Sequence, residues 1–241
     1  MQLPVVAITG GASGIGLATA QAYAAAGFPV AIGGRREEAI QKAIAEMPAG
    51  SVVIGRTLDV ANRENVNHFF DWVGQKLGSV GILIQAAGIN FKNRSMAAMS
   101  PEQWDEAIAI NATGAYNCMH AVLPAMRERK EGLIINISSV AGKRAIALGG
   151  IAYSASKFAM TALGTCVANE VASEGVRVTN VYPGEVNTPL LEQRPNPVSD
   201  EHRLSILQPE DIAQVILSIA QFPGRVHIPE IVIKPIQQNW F

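Results

Sequence analysis

Val5-Val6-Ala7-Ile8-Thr9-Gly10-Gly11-Ala12-Ser13-Gly14-Ile15-Gly16 is the stretch on which the fold turns. Its first four residues are apolar without interruption, as in a strand covered on both faces, and a helical pattern begins at about Ile15. Gly10, Gly14 and Gly16 therefore fall in the connecting turn, together with Ser13 and Ile15. Such a turn lets an anionic group come close to the backbone N–H groups at a helix start, where the helix dipole favours negative charge. The spacing is Gly-x-x-x-Gly-x-Gly instead of the commoner Gly-x-Gly-x-x-Gly. What makes it specific for a dinucleotide pyrophosphate is the succession of strand, turn and helix around it.

Outward from this stretch the alternation repeats. Val30-Ala31-Ile32 precedes a helix running through Ile44, and Val52-Val53-Ile54 one around 66–77. Ile82-Leu83-Ile84 is followed by a helix around 104–126, and Leu133-Ile134-Ile135 by one from about 152 toward 171. Val176-Arg177-Val178 and Ile231-Val232-Ile233 add two strands. Strands this apolar imply an α/β protein: a single-domain, doubly wound parallel sheet, Rossmann-like, with helices on both faces, spanning residues 1–241. The polar interval 188–209, with Pro189, Pro195 and Pro197, follows a strand's carboxyl end and reads as a substrate-loop excursion acting as a lid.

The bulk properties narrow the partners. A chain of 241 residues, 49% hydrophobic, can bury one sizeable core. A net charge of −1 with no basic run argues against nucleic acid or an anionic membrane surface. No signal-peptide pattern or membrane-length apolar run is present, so a cytoplasmic protein with a small-molecule partner is expected. Cys118 and Cys166 lie far apart among apolar neighbours and read as core thiols, and the four His residues have no ligand spacing, so no metal is expected.

The second strand ends in Gly33-Gly34-Arg35-Arg36-Glu37. An acid at this tip would bond the adenosine ribose hydroxyls, but Gly34 stands in its place and Arg35 follows, offering a guanidinium to a 2′-phosphate. NADP(H) is thus favoured over NAD(H), with Arg36 beside the same site. The plainer alternative is that Arg35 and Arg36 are a solvated helix start, although cations are disfavoured there. Tyr153-Ser154-Ala155-Ser156-Lys157 places an ammonium and a phenol at i and i+4 on one helix face. A phenol ionises near pH ~10, and a fixed cation lowers this toward the range of a general acid. Taken alone, this spacing is also common in ordinary helix packing.

The glycine turn after a strand, Asn111 in Ile110-Asn111-Ala112-Thr113-Gly114, Ser139 in Asn136-Ile137-Ser138-Ser139-Val140-Ala141-Gly142, and the Tyr153/Lys157 pair occur in one order. In these the chain resembles the short-chain dehydrogenase/reductase family over nearly its whole length. The resemblance implies that Tyr153 protonates a substrate carbonyl oxygen as hydride arrives, and takes the proton back in the oxidative direction. It implies that Ser139 holds that oxygen while Ser138 serves the loop. Lys157 would lower the Tyr153 pKa and bond the nicotinamide ribose, and Asn111 would hold a water linking Lys157 to bulk. On its residues alone, Asn111 reads equally as a helix-interior Asn bonding nearby backbone.

The resemblance further implies that Asp59, followed by Val60, bonds the adenine amino group. Ala87 and Gly88 would meet a ribose through backbone, and Pro183-Gly184-Glu185-Val186-Asn187-Thr188 would meet the nicotinamide carboxamide at Val186 and Thr188. Asp59 can instead be a helix cap, and Pro183-Gly184 a plain turn. Three departures stand out. Ser13 occupies a position where NADP-preferring members often carry a basic residue. Gln85-Ala86-Ala87-Gly88 replaces the family's Asn-Asn-Ala-Gly; Gln85 can take over the bonding of the first Asn, whereas a bond stabilising the sheet is expected to be lost at Ala86 with the backbone contact to the ribose kept. The carboxyl end carries Glu230-Ile231-Val232-Ile233-Lys234-Pro235, similar to a branch that includes reductases of small hydroxy acids and of aldehydes.

Segments 90–95, 143–151 and 185–207 are expected to line the substrate pocket. Their Lys92, Arg94, Lys143 and Arg144 either attract an anionic substrate or are solvated loop charges; Glu185 faces pocket or water. The reading is an NADP(H)-dependent carbonyl reductase or alcohol dehydrogenase, a homo-dimer or homo-tetramer as the resemblance implies. The alternatives are a non-catalytic NADP(H)-binding sensor on the same fold and an S-adenosylmethionine-binding domain, the latter disfavoured by Gly34-Arg35.

Overall fold

The computed structural model describes residues 3–239. Seven strands, β1 (Val5–Thr9), β2 (Val30–Gly34), β3 (Val53–Thr57), β4 (Val80–Gln85), β5 (Gly132–Ile137), β6 (Val176–Pro183) and β7 (Glu230–Ile233), pair in parallel in the order β3-β2-β1-β4-β5-β6-β7. Each is joined to the next by a crossover through helix, which is what a parallel sheet requires. The helices are α1 (Gly14–Ala25), α2 (Glu37–Ala45), α3 (Arg63–Leu77), α4 (Pro101–Ile108), α5 (Gly114–Arg129), α6 (Ile151–Val171), α7 (Asp200–Ser205) and α8 (Pro209–Gln221). The strand order reverses between β1 and β4, opening a crevice beyond their carboxyl ends.

Two apolar layers cover the sheet. Tyr23, Ile40, Ile216 and Ile219 pack on one face; Phe69, Val73, Met119, Met126 and Val171 pack on the other. The central strands are covered on both sides, as their unbroken apolar runs imply. The edge strands β3 and β7 are only partly covered, because each has a neighbour on one side alone. Cys118 is buried as expected, but Cys166 is exposed, since it falls on the outward face of α6.

The helix expected around 104–126 runs from Pro101 to Arg129 and is not regular. Ser100 and Gln103 close a reciprocal capping box at its start, with Pro101 in the first turn. Residues Ala109–Thr113 form a π-turn between α4 and α5. Among the described residues no helix is long and apolar enough to cross a membrane. The excursion 188–209 is ordered: Pro189–Gln193 form a 3₁₀ turn, α7 follows, and Val186 bridges to Leu207.

Candidate active site

The turn after β1 is packed so closely that its glycines are obligatory. A Cβ on Gly16 would lie 2.2 Å from the Gly10 carbonyl oxygen, and Gly10, at φ 68°, would bring one to 2.8 Å from the Ala87 nitrogen. The α1 helix is thereby pressed against the ends of β1 and β4. Ser13 precedes it without a side-chain cap, and its first turn has no acidic residue, so the leading N–H groups remain as donors. Gly10, Ser13, Gly14, Ile15 and Gly16 all line a cavity of about 360 Å³. A second hollow of about 300 Å³ shares Gly10, Ser13, Ala87 and Gly88 with the first and continues to Arg35, Arg36, Asp59 and Val60.

Arg35 contacts Glu106 at 3.3 Å with both side chains about half exposed, a pair that competes weakly with any anion. The Asp59 carboxylate accepts from the Ala61 N–H at 3.0 Å, so it braces the turn before α3 while still lining the hollow. The cap of α3 itself is Asn62, which accepts from the Asn65 N–H. At the other end, Pro183, Gly184, Val186 and Thr188 line the larger cavity.

Tyr153 and Lys157 occupy the first two turns of α6 and line that cavity with Ser139. Ser139 starts a 3₁₀ turn, its Oγ accepting from the Ala141 N–H at 3.1 Å. Burial raises the Tyr153 phenol above its ordinary value, opposed by a hydrogen bond with Ser139 and by the charge of Arg94. The helical spacing alone pointed to a phenol lowered by Lys157. In the folded site the direction is the reverse because desolvation outweighs both opposing effects, and the cation that counters it is Arg94. Lys157 turns toward β5, where its Nζ donates to the Ile137 carbonyl at 2.7 Å, 5.7 Å from the Tyr153 ring centre. Burial pulls its pKa down to about 8.

Asn111 is fully buried in the π-turn and is absent from the walls of both hollows. Its side chain clamps the backbone of Ile89, accepting from the N–H at 2.8 Å and donating to the carbonyl at 3.0 Å, and donates to Ser156 Oγ. It stands directly behind Gly88: a Cβ there would be 3.4 Å from both Asn111 Oδ1 and Lys157 Nζ. Ser138 also lines the cavity, and its Oγ bonds the Lys157 carbonyl and Thr161, tying the loop to α6.

Gln85 supplies a side-chain amide to the sheet, while Ala86 has none to give. Gln85 Nε2 donates to Asn136 Oδ1 at 3.0 Å, and Asn136 Nδ2 to Asn180 Oδ1 at 2.9 Å, a buried amide ladder across β4, β5 and β6.

At the substrate end, Arg94 lines the cavity, whereas Lys143 pairs with Glu230. Glu185 faces the cavity and touches Arg194 at 3.3 Å and His202 at 2.6 Å. Arg194 and Gln238 also line it; Gln238 accepts from the Glu185 N–H at 2.9 Å. Arg194 falls inside the 185–207 segment expected to line the pocket without being singled out there, and Gln238 lies outside every expected segment, because nothing periodic in these stretches marks a direction.

The family model described as short chain dehydrogenase matches residues 4–198. An uncharacterized oxidoreductase of Listeria monocytogenes is 33% identical over 245 residues, covering 98% of each chain. Among solved structures, an alcohol dehydrogenase of the archaeon Thermococcus sibiricus complexed with 5-hydroxy-NADP superposes with a TM-score of 0.86 at 27% identity, covering 99% of both chains. The closed form of a serine dehydrogenase complexed with NADP+ gives a TM-score of 0.89 at 28% identity, covering 98% of this chain and 96% of the other. A match of this extent, on a crevice that assembles Ser139, Tyr153 and Lys157 opposite the glycine turn, places the chain in the short-chain dehydrogenase family of oxidoreductases.

Proposed function

We propose that this protein interconverts a carbonyl compound and an alcohol with NADP(H), using Tyr153 as general acid and base. The observation that carries the reading is that one cavity is lined by Ser139, Tyr153 and Lys157 together with the uncapped amino end of α1. The residues fit the cofactor. Free N–H groups on α1 suit a pyrophosphate, Arg35 and Arg36 suit a 2′-phosphate, and Gly34 stands at the strand tip in place of the acid that would bond the ribose hydroxyls. Two related structures are NADP complexes, which supports the same choice.

When bound, the nicotinamide supplies or accepts the hydride. In reduction, the carbonyl carbon gains the hydride and its oxygen takes the Tyr153 proton, giving the alcohol; oxidation reverses both transfers. A phenol raised by burial holds its proton at neutral pH, as an acid that must donate it requires. Ser139 orients the oxygen. Lys157 would hold the ribose and, once charged, steady the phenolate left behind. Asn111 fixes the β4 end and Ser156 beneath Lys157, so we assign it a positioning role. The excursion 188–209 serves as the substrate loop. We extend the proposal to a cytoplasmic homo-dimer or homo-tetramer, with exposed Met96, Trp104 and Phe158 as apolar surface for a second copy.

The test is NADPH oxidation with a carbonyl panel for wild type, Tyr153→Phe and Arg35→Ala. Tyr153→Phe is expected to lower kcat by about 10²–10⁴-fold with the NADPH Kd unchanged. Arg35→Ala is expected to weaken NADPH about tenfold relative to NADH. NADPH binding without turnover on any carbonyl would favour the sensor reading instead.

A further inference from the structure

The charges at the substrate end do not balance. Arg94 and Arg194 both line the cavity that holds Tyr153, and Glu185 is the one carboxylate among its lining residues. Glu185 Oε2 takes His202 Nε2 at 2.6 Å and reaches Arg194 Nη2 only at 3.3 Å. The two guanidiniums are also in different states of satisfaction. Arg94 donates from Nε to Phe91, from Nη1 to Leu148 and from Nη2 to Gln193, all backbone carbonyls. Arg194 has a side chain only 16% exposed, and among the described residues its guanidinium has the ion contact with Glu185 and no hydrogen bond.

A guanidinium carries five donors, and withdrawing them from water without acceptors is costly. Beside it, Arg94 is held below its ordinary pKa by burial and then by the charge of Arg194. Two neighbouring cations of this kind destabilise each other until an anion joins them. The rest of the nearby wall is aliphatic, with Ile146, Leu148, Leu190 and Leu191.

We propose that the substrate bears a carboxylate, seated on Arg194 within charge range of Arg94, on a short aliphatic chain whose carbonyl or hydroxyl carbon lies at Tyr153. The carboxylate half stands on the cationic pocket alone; the placement of the reacting carbon rests on the redox reading given above. A carboxylate matches the guanidinium fork through two parallel N–H···O bonds, a geometry that the single contact with Glu185 does not provide. Glu185, tied to His202, then holds the pocket open behind Arg194 and need not leave.

The test reads binding. Short α- and β-hydroxy acids and their primary amides are titrated calorimetrically into the full chain saturated with NADP+. The best acid is expected to bind at least about tenfold more tightly than its amide, since the amide keeps the shape and loses the charge. Arg194→Gln brings the ratio near one by weakening the acid far more than the amide, with the NADP+ Kd in place, and Arg194→Lys recovers part of it. A wild-type ratio within about twofold for every pair overturns the proposal without any variant, as does a preference that survives Arg194→Gln. Failure of the redox reading shows differently: acids that bind selectively with NADP+ present and yield no NADPH.

Discussion

Lys157 shows how a single residue can be stabilising in one role and costly in another. Its ammonium is buried against the Ile137 carbonyl and the Met160 sulfur, and burial alone depresses its pKa to about 8. In the unfolded chain it titrates near pH ~10.4. Below pH about 8 the lysine is charged in both states and the folded state carries the whole desolvation cost. Between there and pH ~10.4 the unfolded chain holds the proton and the folded one releases it, so stability rises with pH. The shift corresponds to something on the order of 3 kcal/mol, less about 1 kcal/mol for the hydrogen bond to Ile137. Lys157→Met, without added nucleotide, is therefore expected to raise Tm at pH 7 by roughly 3–6 °C while abolishing turnover, with the gain shrinking in melts at higher pH. A variant melting below wild type at pH 7 refutes this. The identities of Ser139, Tyr153 and Lys157 were legible because each sits at a fixed place in a short pattern. The sign of the Tyr153 shift was not, because spacing reports which groups are neighbours and says nothing about how much water both have lost.

At the scale of the element, two features lie beyond sequence periodicity. The apolar pattern around 104–126 remains helical through Ala109–Thr113, so the π-turn that drives Asn111 inward leaves no mark in it. The amide ladder depends on register: Gln85 pairs with Asn136 and Asn136 with Asn180. Three polar residues on three strands become a connected set only once the strands are aligned, so the sequence offers Gln85 as a replacement donor without showing its partner. Asn136→Ala would strand the Gln85 amide donor and the Asn180 carbonyl acceptor in the core. At about 1–3 kcal/mol for each orphaned group, the expected cost is roughly 2–5 kcal/mol. Urea unfolding should show a lower midpoint with an unchanged slope; a loss under about 0.5 kcal/mol would mean that water enters and replaces the ladder.

Seen whole, the molecule is polarised along its strands. The carboxyl ends carry every site segment, and Arg94 fastens three of them by donating to Phe91, Leu148 and Gln193 at once. Arg94→Met is expected to speed amide hydrogen exchange by about tenfold in 90–95, 143–151 and 189–193 together, leaving α3 and α5 unchanged. Faster exchange confined to 90–95 would show that the side chain is not a shared fastener. The alternation of strands and helices made this end predictable as the site, since the order of a parallel sheet dictates where its crevice opens; the loops' mutual fastening depends on side chains in segments without periodicity. The opposite end has tight returns, such as Lys130 at φ 54° leading through exposed Glu131 into β5. With a rise of about 3.3 Å per residue, the six residues of β5 hold Glu131 roughly 20 Å from Ser139. A dye or resin linker attached at Glu131 would therefore report on, or anchor, the protein without touching its chemistry, at a spacing suited to energy transfer from a reduced nicotinamide.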